Sequence, residues 1–182
     1  MLILASASPR RRALLEEAGI AFRVVVPGVP EHEPERGDPH AVAAANARRK
    51  AEAVAGEPVL AADTVVAVGD RLLGKPADEA EARESLRALS GTTHRVVTAV
   101  ALKAGGQVRV RTVETRVTMR PLAEAEILAY ARSGEGLGKA GGYAIQETAD
   151  RFVTRLDGPF DNVVGLPVDT VRSLLREAIG SV

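Results

Sequence analysis

Cysteine is absent from the 182 residues, which excludes a disulfide framework, a thiolate metal site and a cysteine nucleophile. Histidine is scarce. His32, His40 and His94 stand apart with no ligand spacing, so they leave little for a zinc centre and read as structural. Charge of one sign is not in excess, because 24 Lys plus Arg face 24 Asp plus Glu. Without a global basic field no nucleic-acid partner is expected, and any anion site must be local. Long apolar runs are missing too: Met1-Leu2-Ile3-Leu4-Ala5 passes straight into polar and basic residues, too short for a signal core or a membrane span. A cytoplasmic location with no membrane partner is the expectation. Lysine is the last scarcity, with Lys50, Lys75, Lys103 and Lys139 set against twenty arginines. What remains, 46% hydrophobic and 26% charged, suits a soluble globular domain spanning residues 1–182, with room for two lobes.

Strands and helices alternate along the chain. Leu2 to Ala5 reads as a buried strand, and Ser8-Pro9 opens a helix to Ala18, with Ser8 as cap, Pro9 in the first turn and Gly19 past the end. Phe22 to Val26 is a strand, Pro27 to Gly37 an acidic surface loop, and Asp38-Pro39 opens an alanine-rich helix to about Ala55. Val59 to Val68 is a strand that returns through Gly69-Asp70 to Arg71–Leu73. A helix from about Asp78 to Leu89 precedes a long hairpin, Arg95 to Lys103 and Gln107 to Thr118. A helix from Leu122 to Arg132, a glycine-rich loop from Ser133 to Gly142, a strand from Phe152 to Leu156 and a closing helix from Pro167 to Ala178 complete the pattern. The class is α/β with a mixed sheet.

Chemistry can sit at few places. The first helix carries its charge in reverse: Arg10, Arg11 and Arg12 crowd the first turn and Glu16 and Glu17 the last, against a macrodipole preference of roughly 0.3–1 kcal/mol per residue. A polyanion bound by Ser8, the free N–H groups and the arginine forks would compensate, and three solvated arginines are the plainer account. Asp63 lies in Val59-Leu60-Ala61-Ala62-Asp63-Thr64-Val65-Val66-Ala67-Val68, so it must be paired, metal-bound or shifted in pKa. An arginine salt bridge would satisfy it; so would a divalent cation such as Mg²⁺ shared with Glu31 of the acidic loop.

Gly69-Asp70-Arg71-Leu72-Leu73-Gly74-Lys75 has Walker A spacing, but Pro76 replaces the hydroxyl residue and the setting is a hairpin, so it is no P-loop. Gly134-Glu135-Gly136-Leu137-Gly138-Lys139-Ala140-Gly141-Gly142 is glycine-dense enough to wrap amides around a ligand, with Lys139 as its cation, or simply to be a pliant loop. Lys50 shares a helix face with Ala43, Ala47 and Val54, and Lys103 alone, beside a hairpin turn, looks purely superficial.

These strings together resemble a known family. Ser6-x-Ser8-Pro9-Arg10-Arg11, Ala62-Asp63-Thr64-Val65-Val66, Gly74-Lys75-Pro76, Leu89-Ser90-Gly91-x-Thr93-His94-x-Val96-x-Thr98, Lys139-Ala140-Gly141-Gly142-Tyr143-Ala144-Ile145-Gln146 and Val164-Gly165-Leu166-Pro167 occur in the order of the Maf family and span nearly the whole chain. The resemblance implies an elongated mixed β-sheet with two α/β lobes and a central cleft, similar to the inosine triphosphate pyrophosphatase fold. It also implies hydrolysis of a nucleoside triphosphate to the monophosphate and pyrophosphate with a divalent cation, Mg²⁺ or Mn²⁺. Carried over, Asp63 is similar to the family's proton acceptor and Glu31 to its metal-site carboxylate, with Asp63 also at the metal. Arg11, Lys50 and Lys75 resemble its triphosphate contacts, with Ser8 and Lys139 as further substrate-binding groups.

Arg10, Thr64 and Gln146 resemble the set found in dTTP/UTP pyrophosphatases, whereas the 7-methyl-GTP branch has Trp, Gln and Glu there. Gln146, an amide that both donates and accepts, suits the edge of uracil or thymine. Three residues depart from the pattern: Gly136 stands for a common Pro, Gly138 for a common Asp and Glu147 for a common Gly. Pyrophosphatase action on 7-methyl-GTP or other modified nucleotides, and a nucleotide-binding role in septum formation, stay open as alternatives, as does assembly into a homodimer.

Overall fold

A computed structural model of the chain describes residues 1–180. Strand β1 (Leu2–Leu4) leads into helix α1 (Pro9–Glu17), β2 (Phe22–Val24), α2 (Pro39–Ala53), β3 (Val59–Val68) and β4 (Arg71–Leu73). Then follow α3 (Glu79–Leu89), β5 (Thr93–Ala104), β6 (Gln107–Met119), α4 (Glu124–Ser133), β7 (Val153–Asp157), α5 (Phe160–Val164) and α6 (Val168–Ile179). Among the described residues, seven strands make one mixed sheet in the order β2-β1-β3-β5-β6-β7, with β4 also paired to β3. β1 runs parallel to β2 and β3, and the other pairings are antiparallel.

Local chemistry sets the helix starts. The Ser8 side chain accepts from the Arg11 N–H at 3.4 Å and Asp38 from the His40 N–H at 3.0 Å, each followed by proline at the first helical position. Asp78 accepts from the Glu81 N–H at 2.9 Å while Glu81 reaches back to the Ala77 N–H at 2.9 Å. α4 begins two residues later than Leu122, after Ala123, where Glu126 accepts the Ala123 N–H at 3.0 Å.

Period-two alternation along β3 fixes the layers. Val59 and Ala61 face α2, packing with Ala43, Ala47 and Ala51, whereas Leu60 and Ala62 face the opposite side with Leu15, Leu166 and Leu174. Asp63 is in phase with Ala61 and therefore meets α2. Thr64 is in phase with Ala62 and meets α1. A third cluster, with Leu86, Leu89, Ile127, Tyr130 and Phe152 from α3, α4 and the segment before β7, closes the other end of the sheet.

Further features depart from the sequence expectation. The glycine-rich stretch contains a 3₁₀ turn at Ala140–Gly142, a second such turn covers Thr148–Phe152, and α5 is a helix that periodicity did not reveal. α5 is too short for a periodic pattern, and it is held instead by Asn162, whose side chain donates at 3.0 Å to both the Val96 carbonyl and Thr115 Oγ1. Lys103 is not superficial: it is half-buried and donates to the Val54 carbonyl at the end of α2.

The glycine-rich stretch fits against the body of the protein by close approach. A Cβ on Gly136 would stand 2.1 Å from the Gly142 carbonyl oxygen, and one on Gly141, at φ +73°, would stand 2.9 Å from Val66. Behind it, His94 Nε2 and the Tyr143 hydroxyl share a 2.7 Å hydrogen bond, and the rings meet edge-on at 5.5 Å. His94 is 1% exposed and its Nδ1 has no partner. Burial holds its pKa down at about 4.

A histidine kept neutral by burial binds fewer protons folded than unfolded, so its contribution is intact above its unfolded pKa of about 6.5 and is lost as pH falls toward 4. Stability is expected to drop by about 2–3 kcal/mol between pH 7 and 4.5 from this group. His94→Gln, which keeps a partner for Tyr143 without titrating there, should remove that part of the slope in denaturant titrations at the two pH values. An unchanged slope would exclude His94 as the source. Gly136→Ala is expected to lower stability by about 1–3 kcal/mol, because the added methyl meets backbone. Wild-type stability of that variant in thermal unfolding would contradict the close approach.

Candidate active site

A cleft of about 550 Å³ opens where β1 hands over to α1 and runs to the glycine-rich stretch. Its size is that of a small-molecule site. Ser8, Arg10 and Arg11 come from the start of α1, Glu31 from the acidic loop, Lys50 from α2, Asp63 and Thr64 from β3, Lys75 from the turn after β4, and Lys139 and Glu147 from the glycine-rich side. Five cationic side chains thus face three carboxylates, a local positive excess in a chain with none overall.

At the centre, Asp63 is 3% exposed and Lys50 6% exposed. Lys50 Nζ donates to Asp63 Oδ1 at 2.7 Å, to Glu31 Oε1 at 2.5 Å and to the Ala62 carbonyl at 3.3 Å. The partner of Asp63 is therefore a lysine rather than an arginine. Its second oxygen accepts from Asn46 Nδ2 at 2.9 Å. Asn46 also exchanges two 2.9 Å bonds with the backbone of His32, tying the acidic loop to α2. Sequence reading missed Asn46. The available signal was its position four residues before Lys50 on the same buried helix face.

Lys75 bonds Glu31 and lies 3.4 Å from Glu33, so Glu31 is held between two ammonium groups. Burial lowers the Lys75 pKa to about 8, helped by the like charges of Arg11 and Arg10 and in spite of those ion pairs. Burial likewise lowers Lys50, against the pull of Asp63, and raises Glu33, with Asp63 adding to the effect.

Arg11 turns inward. Its Nε donates to the Gly165 carbonyl at 2.8 Å and its Nη2 to Thr64 Oγ1 at 3.2 Å, while burial pulls its pKa down to about 10. Thr64 Oγ1 lies 2.9 Å from Thr98 Oγ1, which donates to the Asn162 carbonyl at 2.9 Å, so α5 and the two central strands together fix the guanidinium. Arg10 is half-buried at the cleft wall, and Arg12 is exposed outside it. Ser8 lines the cleft, with its N–H on Ser6 Oγ at 3.1 Å.

On the glycine-rich wall, which is bonded through Gly138 and Gly141 to the Pro76 and Gly74 carbonyls, Lys139 Nζ lies 3.3 Å from both oxygens of Glu147. Gln146 is exposed and does not line the cleft; its neighbour Glu147 does. The Walker-like stretch forms the β3–β4 hairpin; His40 is bonded to Thr112 and Glu114 and His94 to Tyr143, while His32 bonds Asn46 through its backbone.

The donors Glu31 and Asp63 are hard oxygens, the kind that suits a divalent cation which takes one or two protein carboxylates and fills its shell with phosphate oxygens and water. No cluster of three or more His, Cys, Asp or Glu suited to a metal occurs among the described residues. The donor set therefore fits a cation that arrives with an oxyanion substrate, and not an all-protein cage. No helix among the described residues is long and apolar enough to cross a membrane.

Known proteins share this arrangement of sequence. The chain is 53% identical over 174 residues to the dTTP/UTP pyrophosphatase of Thermus thermophilus, covering 96% of this chain and 92% of the relative. It is 50% identical over 183 residues to the protein of the same name from Deinococcus radiodurans, covering 97% and 92%. With the dTTP/UTP pyrophosphatase of Cereibacter sphaeroides the identity is 48% over 181 residues, covering 97% and 94%. The Maf-like protein family matches residues 1–178, so the cleft, its lysines and its buried aspartate are those of a chain that belongs to the Maf-like family.

Proposed function

We propose that this protein is a pyrophosphatase that hydrolyses dTTP and UTP to the nucleoside monophosphate and pyrophosphate, acting in the cytoplasm as one domain of two lobes. The observation that carries the reading is the buried Lys50–Asp63 pair in a cleft with a local cationic excess. The names of relatives about half identical over nearly the full chain support the substrate class.

A triphosphate brings several negative charges into the cleft, and Arg11, Lys50 and Lys75 supply forked and point-charge donors for it. Ser8 and the first-turn amides of α1 add neutral donors at a helix N-terminus. Asp63 is the proton acceptor: it takes the proton of the water that is added across the phosphoanhydride bond between the α and β phosphorus atoms, and pyrophosphate departs. Asn46 and Lys50 orient its two oxygens, leaving the carboxylate one fixed direction toward the cleft. A divalent cation, Mg²⁺ or Mn²⁺, held by Glu31 and Asp63, would supply charge neutralisation on the phosphates when bound. Lys139 completes the substrate contacts, with Arg10 and Thr64 in the cleft and Gln146 beside it shaping selectivity.

Purified protein with Mg²⁺ or Mn²⁺, offered a panel of nucleoside triphosphates, should release pyrophosphate fastest from dTTP and UTP; release from none of them would end the pyrophosphatase reading. Asp63→Asn is expected to lower kcat by about 10²–10⁴-fold with nucleotide binding retained, the usual weight of a general base. Turnover at the wild-type level in a folded Asp63→Asn protein would remove Asp63 from that role.

A further inference from the structure

Asp63 is reached from two spaces. Besides the cleft, a small cavity of about 20 Å³ lies on the α2 side of β3, between that helix, the acidic loop and the turn after β4. Asp63, Thr64, Lys75 and Ala140 line both spaces and form the partition between them. The two oxygens of Asp63 are held from different sides of it. Oδ1 is bonded by Lys50, which lines the cleft and not the cavity, and Oδ2 by Asn46, which lines the cavity and not the cleft. The outer rim, with His32, Glu33 and Gly74, is exposed, so the cavity opens toward solvent without passing through the cleft. Such a volume suits one water molecule, which needs roughly 10–15 Å³ and two to four polar partners. The carboxylates of Asp63 and Glu33 can accept its protons and the Lys75 ammonium can donate to its oxygen. Val42 and Val65 close the walls with apolar carbon and touch the cavity only, not the cleft.

We propose that this cavity is a water port: it seats one water against Asp63 and delivers the water that each turnover consumes, while the triphosphate fills the cleft. The proposal rests on the pyrophosphatase reading above. A triphosphate laid on Asp63 from the cleft excludes bulk water on that side, yet every cycle of hydrolysis needs a water. The water oxygen bonds to the α phosphorus, its proton passes to Asp63, the bond from that phosphorus to the bridging oxygen breaks, and pyrophosphate leaves by the cleft. A port of water size refuses a larger nucleophile. Methanol, attacking in the same way, would give the methyl ester of the monophosphate and pyrophosphate, but one added methyl group in a fitted pocket costs about tenfold or more.

The test fills or widens the port from its two walls with Val42→Phe, Val65→Phe and Val42→Ala, and thermal melting confirms folding. Both filling variants should lower kcat for UTP by about 10–10²-fold, as misplacing a reactant by an ångström does, with KM and calorimetric nucleotide affinity unchanged. In dilute methanol the wild type should form methyl ester at about a tenth or less of the share that methanol holds in the solvent, and Val42→Ala should raise that fraction. A role in stability alone would not move the ratio of ester to monophosphate. Full turnover in both folded filling variants, or wild-type ester in proportion to methanol, would overturn the port while leaving the pyrophosphatase reading intact. Crystals of the wild type should show an ordered water bonded to Asp63 in the cavity, and crystals of Val42→Phe none. If no triphosphate were hydrolysed the pyrophosphatase reading would fall, and the same pair of crystal structures would still decide for or against the water site.

Discussion

The contact between Lys50 and Asp63 constrains everything around it. Each group is almost fully buried, and either alone would carry a desolvation penalty of several kcal/mol. Their 2.7 Å contact therefore demands that α2 lie directly on β3, and the helix meets that demand with methyl groups: Ala43, Ala47 and Ala51 are fully buried against Val59 and Ala61. Larger side chains would lift the helix and part the charges. Such a pair is a poor stabiliser compared with apolar residues of the same volume, whereas loss of one partner costs about 3–5 kcal/mol. A fold that keeps it at its centre keeps it for what the charges do, and the way in which Glu31, Lys75 and Asn46 are hung from the same two groups agrees with that.

The reversed charge of α1 finds its explanation in the same cleft. Three arginines at a helix N-terminus oppose the macrodipole, yet each has a different surrounding. Arg11 is turned into the protein and spends its donors on the Gly165 carbonyl and Thr64, Arg10 stands at the wall, and Arg12 lies in solvent, where the unfavourable field is screened. The helix N-terminus, the guanidinium groups and two lysines converge without enough carboxylates to neutralise them. An anion of several charges is the species that balances such a site.

Much of this was legible in order of residues alone, because much of it is local. Ser8-Pro9, Asp38-Pro39 and Asp78 mark helix starts through bonds to amides only two or three residues away. An Asp inside an apolar strand announces a partner, and the face shared by Ala43, Ala47, Lys50 and Val54 announces burial. The sequence could not say that the partner was Lys50 rather than one of twenty arginines, since that depends on which helix lands on β3. Asn46 and Asn162 went unread for the same reason: a buried amide looks like any surface amide until the groups it satisfies, at positions 32 and 63 for one and 96 and 115 for the other, are brought together by the sheet. Lys103 misled because a residue beside a hairpin turn can still reach back to cap a neighbouring helix. Gln146 is exposed beside the cleft-lining Glu147, in a stretch of 3₁₀ turns where neither period two nor period 3.6 tells which side chain faces inward.

Two walls of the cleft are built from different materials. Asp63, Lys50, Asn46 and Thr64 stand on a ten-residue strand and on a fifteen-residue helix, locked by bonds to one another and to backbone. Lys139 and Glu147 each stand just before a short 3₁₀ turn, with the Glu147 side chain nearly half exposed. Substituting a residue on the first wall disturbs a buried charge and the packing of α2 together, so nearly every change there is destructive. Substituting one on the second wall alters a partly solvated side chain on a loop whose backbone is held from behind by the Tyr130 hydroxyl on the Ala144 N–H and by the His94–Tyr143 contact. The same loop is tied to the turn that carries Lys75, through the Gly138 N–H on the Pro76 carbonyl at 3.0 Å and the Gly141 N–H on the Gly74 carbonyl at 3.1 Å, so its backbone is fixed where its side chains are free to differ.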